Sequence, residues 1–242
     1  MTYCVGMRLE SGLLFASDTR TNAGVDHIAT FRKMHAFALP GERLVVLLAA
    51  GNLATTQSVV SLLRARSTGD GPSLLSVRSL YEAAELVGAP LREVIARDAG
   101  SDGMNQGIDF GGSFIVGGQI RGEAPRLFNV YPQGNFIEAS EDTPYFQIGE
   151  AKYGKPIIDR VVHYRTPLAE AAKCTLISFD STIRSNLSVD LPIDLLQYRP
   201  DSFAAAEPYR ISADNPYFNQ IRTAWGSGLR QVFAGLPDAD WL

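Results

Sequence analysis

Residues 44–50 are apolar without interruption, Leu-Val-Val-Leu-Leu-Ala-Ala, and no other segment constrains the fold as tightly. A strand with one wet face alternates apolar and polar residues, so an unbroken run marks a strand buried on both faces. The strand is expected over 43–50. Its sheet then needs apolar cover on each side. Gly51 ends the run, and Asn52 is a good N-cap for a helix reaching about Arg66.

The other segments arrange themselves around this strand. Strands are expected at 2–9 and 13–18, joined by Glu10-Ser11-Gly12, and at 33–39, closed by Pro40-Gly41-Glu42. Residues 69–73 read as a loop. Ser79 with Glu82 forms a capping box for a helix to about Val87, and Pro90 restarts a helix to about Arg97. The stretch 98–109, rich in Gly, Asp and Asn, is the expected mobile loop. A meander follows at 112–118, 125–131, 135–139 and 145–148. Helices are expected at 151–163 and, after Thr166 and Pro167, at 168–182, then a strand pair at 188–198 and 208–211. Asp214-Asn215-Pro216 opens a last helix, whose stripe Phe218, Ile221, Trp225 and Leu229 is expected to pack in the core. Segregated runs of strands and helices argue an α+β fold with helices covering antiparallel sheets. No repeat or linker divides the chain, so a single domain over 1–242 is expected.

Composition narrows the function. The chain is 45% hydrophobic and 20% charged with net charge -4, as in an ordinary globular protein. Its basic residues are scattered, which argues against a nucleic-acid surface or a polybasic membrane patch. No apolar stretch approaches the roughly 18 residues of a membrane span, and Arg8, Glu10 and Asp18 interrupt any signal-peptide core. Cys4 and Cys174 are expected to be reduced core thiols of a cytoplasmic protein. His27, His35 and His163 lack ligand spacing, so no metal and no cofactor is expected.

Thr2 offers chemistry once Met1 is removed, because it then joins a hydroxyl nucleophile to a free α-amine. That amine has a reference pKa of roughly 7.7–8.0 and can act as a general base. A three-residue loop in the first hairpin makes opposite positions sum to 22 and sets Thr2 against Arg20. With a sum of 23, Thr21 takes that place. Either register brings Asp18 within roughly 7–8 Å of the amino terminus. Lys33, at the start of an apolar run, needs a carboxylate partner, and Asp18 is the natural one. Gly51 stands where a helix start can offer a backbone N–H to an oxyanion. Each feature also has a plain structural reading: Asp18 in a turn, Lys33 at an exposed edge, Gly51 in a tight corner.

Together these residues resemble a proteasome β-type subunit. Thr2 opens a strand, Ser17-Asp18-Thr19-Arg20 closes the second, Lys33 starts the third, and Ala49-Ala50-Gly51-Asn52 precedes a helix. Counted from Thr2, Asp18 and Lys33 fall at or within one position of the family's aspartate and lysine. Two strings resemble the bacterial proteasome-like Anbu family more closely. They are Gly149-Glu150-Ala151-Lys152-Tyr153-Gly154-Lys155-Pro156 and Phe179-Asp180-Ser181-Thr182 leading to Arg184-Ser185-Asn186-Leu187-Ser188-Val189, while Gln147-Ile148-Gly149-Glu150 continues the β-subunit match. The resemblance extends over nearly the whole chain.

It implies a four-layer αββα N-terminal nucleophile hydrolase with threonine peptidase chemistry. It also implies a homo-oligomer, ring or helical, acting on peptide or unfolded-protein substrate; an ATPase partner is left unspecified. Thr2 would be the nucleophile, Lys33 would tune it, Asp18 would hold Lys33, and the Gly51 N–H would stabilise the oxyanion. Asn22 and Gly51 would bind an extended substrate, with Ala49 and Leu53 shaping a first specificity pocket roomy enough for a sizeable side chain. Asp180 and Ser185 are the candidates for a supporting pair, at altered spacing, because the usual Asp-x-x-Ser-Gly-Gly is absent. Glu150 replaces the serine that often follows the glycine at Gly149. Without a long propeptide, a methionine aminopeptidase would have to expose Thr2. Two alternatives stay open: a catalytically silent assembly or peptide-binding subunit, and an amidase for one small amide.

Overall fold

A computed structural model describes residues 2–22, 28–100, 107–204 and 207–241; His27 lies outside them, as do residues 101–106 of the loop expected at 98–109. The hairpin β1 (Tyr3–Leu9) and β2 (Gly12–Asp18) leads into a two-stranded ribbon of β3 (Arg20–Asn22) and β4 (Ile28–Thr30). Next come β5 (Met34–Leu39), β6 (Arg43–Gly51) and the helices α1 (Leu53–Arg66) and α2 (Leu80–Ala99). Strands β7 (Gly112–Ile120), β8 (Arg126–Val130), β9 (Phe136–Glu138) and β10 (Tyr145–Gly149) precede α3 (Lys155–Val161) and α4 (Leu168–Ser185). The chain closes with β11 (Ile193–Tyr198), β12 (Tyr209–Ile211) and α5 (Pro216–Ala234).

Two five-stranded antiparallel sheets stack face to face, ordered β10-β1-β2-β11-β12 and β5-β6-β7-β8-β9. The apolar run at 44–50 shows why they must. Leu44, Val46, Leu48 and Ala50 point between the sheets toward Cys4, Phe15 and Ile148. Val45, Leu47 and Ala49 point the other way, onto α1 and α2. On the far side Tyr3, Val5 and Met7 of β1 meet residues of α3, α4 and α5. Three apolar layers thus join four structural layers, helices outside and sheets inside.

Several expected boundaries shift, each for a physical reason. The first hairpin turns on Glu10-Ser11 alone: Leu9 pairs with Gly12 and Cys4 with Ser17, so opposite residues sum to 21 rather than 22 or 23. Gly12 opens β2 with φ +136°, and a Cβ there would also lie 2.1 Å from the Tyr198 carbonyl oxygen of β11. Pro90 does not restart a helix but sits inside α2. Ala83, Val87, Leu91 and Val94 bury one continuous face, which outweighs the hydrogen bond that proline removes. Strand β10 leaves the expected meander and pairs with β1 in the other sheet. Helix α3 starts later than expected because Pro156 is tolerated only in a first turn. The stripe on α5 is not core: only Phe218 is fully buried, and Leu229 is 51% exposed. Beyond its contact with α4, that helix face looks out over an open apolar groove.

Candidate active site

The strand ends of both sheets converge at Thr2. It precedes β1 and is buried, and its carbonyl accepts the Glu150 N–H at 2.6 Å just past the end of β10. The next amide, Tyr3 N–H, donates to Asp18 Oδ1 at 2.9 Å. That contact follows from the register, which sets Thr2 against Thr19 and Tyr3 against Asp18 at the close of β2.

Lys33 lies immediately before β5, 4% exposed. Its carbonyl accepts the Ala49 N–H at 2.9 Å, which fastens it to β6. Its ammonium reaches both Asp18 oxygens at 2.8 Å and the Arg20 carbonyl at 2.6 Å, so its three protons meet three acceptors. The partnership expected for Lys33 and Asp18 is therefore present and fully desolvated. Burial pushes the Asp18 carboxyl up to about 6, against the pull of Lys33 and the Tyr3 N–H. At neutral pH the Asp18 carboxyl is ionised.

Gly51 ends β6 with φ +105°, a conformation that disfavours side chains, and a Cβ there would meet the Gly111 carbonyl oxygen at 2.4 Å. Asn52 then accepts the Thr55 N–H and starts α1 as expected. Thr2, Thr21, Lys33, Ala49, Gly51 and Leu53 line one cavity of about 370 Å³. Asp18 stands behind Lys33. Thr21 of β3 also faces the cavity; the side chain of Asn22, expected to bind substrate, lies outside the described residues.

The structure does not bring Asp180 and Ser185 to this cavity. Asp180, on α4, is buried and pairs with Arg184 at 3.2 Å and with Arg222 of α5 at 3.1 Å, tying two helices. Ser185 is exposed at the end of α4. Glu150 proves closer to Thr2 than either. Its buried carboxylate accepts the Asn186 amide at 2.8 Å and the Lys152 N–H at 2.7 Å. Sequence reasoning also missed His35 and Arg32, which line the cavity beside Lys33. Strand periodicity was the available signal for His35, two residues from Lys33 and so on its face. Among the described residues, no group of three or more His, Cys, Asp or Glu could hold a metal.

No protein-family model matches the chain, and no curated protein matches it. Solved structures do. Anbu (ancestral β-subunit) from Yersinia bercovieri shares 60% identity with a TM-score of 0.93, covering 98% of this chain and 99% of that one. The chain belongs to the Anbu family. The Pseudomonas aeruginosa Anbu, described as a helical assembly, shares 56% identity at a TM-score of 0.94 over 98% of each chain. A Gly-1 mutant of Anbu from Hyphomicrobium sp. strain MC1 shares 51% identity at 0.92, over 99% of this chain and 100% of that one. This agreement spans all four layers, so the Anbu family resemblance carried by residues 149–156 and 179–189 holds for the whole fold.

Proposed function

We propose that this Anbu subunit hydrolyses peptide or amide bonds with Thr2 as nucleophile, once Met1 has been removed. The observation that carries this reading is the buried Lys33–Asp18 ion pair set against Thr2 in the wall of one cavity. An ammonium beside the hydroxyl and the α-amine favours their deprotonated forms. The Thr2 amine, through a water, takes the hydroxyl proton as Oγ attacks the substrate carbonyl carbon. The Gly51 N–H and Lys33 offset the charge that develops on the carbonyl oxygen. Collapse of the tetrahedral species returns the proton to the departing amine and leaves an ester on Thr2. Water, activated by the same amine, hydrolyses that ester and regenerates the hydroxyl.

The subunit works within a homo-oligomeric chamber in the cytoplasm. The helical assembly of the Pseudomonas aeruginosa relative supports the first part, and two free, buried cysteines support the second. N-terminal sequencing of protein purified from cells is expected to begin at Thr2. The assembled protein is expected to degrade an unstructured polypeptide, and the Thr2→Ala variant to leave it intact. Quantitative retention of Met1, or turnover that survives in Thr2→Ala, contradicts the proposal. Turnover confined to small amides would point instead to the amidase, and assembly without turnover to a silent subunit.

A further inference from the structure

The cavity beside Thr2 carries a charge that the reaction does not use. Lys33 is matched by Asp18 and contributes little net charge. Arg32, next to it, also lines the cavity, but it is exposed and makes no ion pair among the described residues. His35 stands on the same wall, with Arg64 of α1 behind it at 3.4 Å from Nδ1. A guanidinium only donates hydrogen bonds, so Nδ1 is the acceptor and Nε2 keeps its proton. Burial, then Arg64 and Arg32, pushes His35 down to about 4, which leaves the ring neutral at pH 7. The wall therefore presents a guanidinium and a ring N–H.

No aspartate or glutamate lines this cavity among the described residues. An adjoining cavity of about 230 Å³ shares Arg32 and His35 and adds Arg64, Arg210, Asp194 and Glu207. Asp194 is matched by Arg210 at 2.8 and 3.0 Å. Glu207 lines only that second cavity, where it is exposed. Among the described residues, the cavity at Thr2 thus has donors and a positive charge without a complementary anion.

We propose that this cavity selects an acidic side chain, aspartate or glutamate, on the substrate residue whose carbonyl Thr2 attacks. The proposal rests on the reading of Thr2 as nucleophile. A carboxylate entering past Ala49 would meet Arg32 and the His35 N–H, a charge-assisted pairing. A leucine side chain of similar bulk would desolvate those donors and give them nothing in return. An arginine side chain would bring like charge against Arg32.

Three tripeptide vinyl sulfones that differ only in the terminal side chain, Glu, Leu or Arg, test this on the assembled, Met1-processed protein. The readout is the rate at which each adds its mass to Thr2. The Glu probe is expected to label roughly tenfold faster than Leu or better, with Arg slowest. Arg32→Glu should invert the order in favour of the Arg probe, and Arg32→Gln should bring the Glu and Leu rates together. Leu labelling as fast as Glu, or an order unchanged in both variants, overturns the specificity while Thr2 labelling leaves the nucleophile standing. Labelling of Thr2 by none of the three removes the nucleophile reading and the specificity with it.

Discussion

At the scale of single residues the site depends on one ion pair that has no access to water. Replacing Lys33 with alanine leaves Asp18 buried without its cation, a change expected to cost about 3–5 kcal/mol near neutral pH. Urea denaturation measures that loss, which should shrink as pH falls and Asp18 takes up a proton. Reactivity at Thr2 should drop about a hundredfold or more in the same variant. The wild type should separate stability from reactivity in pH. Burial raises the Asp18 carboxyl from 3.8 to about 6, so the folded state holds this proton more tightly than the unfolded chain does. Its contribution to stability is full below 3.8 and lost as pH rises through about 6. Reactivity runs the other way, because protonating Asp18 removes the counter-ion that positions Lys33. Labelling of Thr2 is therefore expected to fall as pH drops through about 6 while Asp18 itself gives no cause for unfolding. Thermal melting between pH 5 and 7 checks this; a melting temperature that falls in step with labelling would contradict it.

Elements were legible in the sequence where local chemistry decides them. Helices α1, α2 and α5 begin where Asn52, Ser79 and Asn215 cap them, each accepting the N–H three residues on. Cap geometry needs only a few neighbouring residues, so sequence suffices. The partner of β10 was not legible, because a turn at 140–143 reads as one more hairpin until β1 is known to supply the free edge. Pro90 misled for a related reason, since the apolar face that carries α2 through it is buried against α1, β7 and β8, which lie apart from it in sequence. The string around Asp180 marks the family, yet the residue joins α4 to α5 rather than serving Thr2. Asp180→Asn is accordingly expected to lower stability by about 1–3 kcal/mol. Its Thr2 labelling rate should stay within about twofold of wild type, because the helix junction lies off the cavity. A large loss of labelling in a folded Asp180→Asn protein would restore the supporting role.

For the whole molecule, the unbroken run at 44–50 forecast the layering, since a strand apolar on both faces needs cover on both. The Lys33–Asp18 pair was legible for a similar reason: a lysine entering an apolar strand must find a carboxylate. The α5 stripe was not, because helical periodicity identifies an apolar face without saying what lies against it. Periodicity puts His35 on the face of Lys33, but the cavity wall it shares with Arg32 depends on how β5, β6 and α1 pack together. All four layers converge on one consequence, a threonine held at the end of a strand beside a buried ammonium. The most direct test is the intact mass of the assembled, Met1-processed protein after exposure to an electrophilic threonine-directed peptide. One adduct per subunit, mapping to Thr2 and absent from Thr2→Ala, is the predicted result. An unmodified mass, or an adduct that persists in Thr2→Ala, would contradict the account.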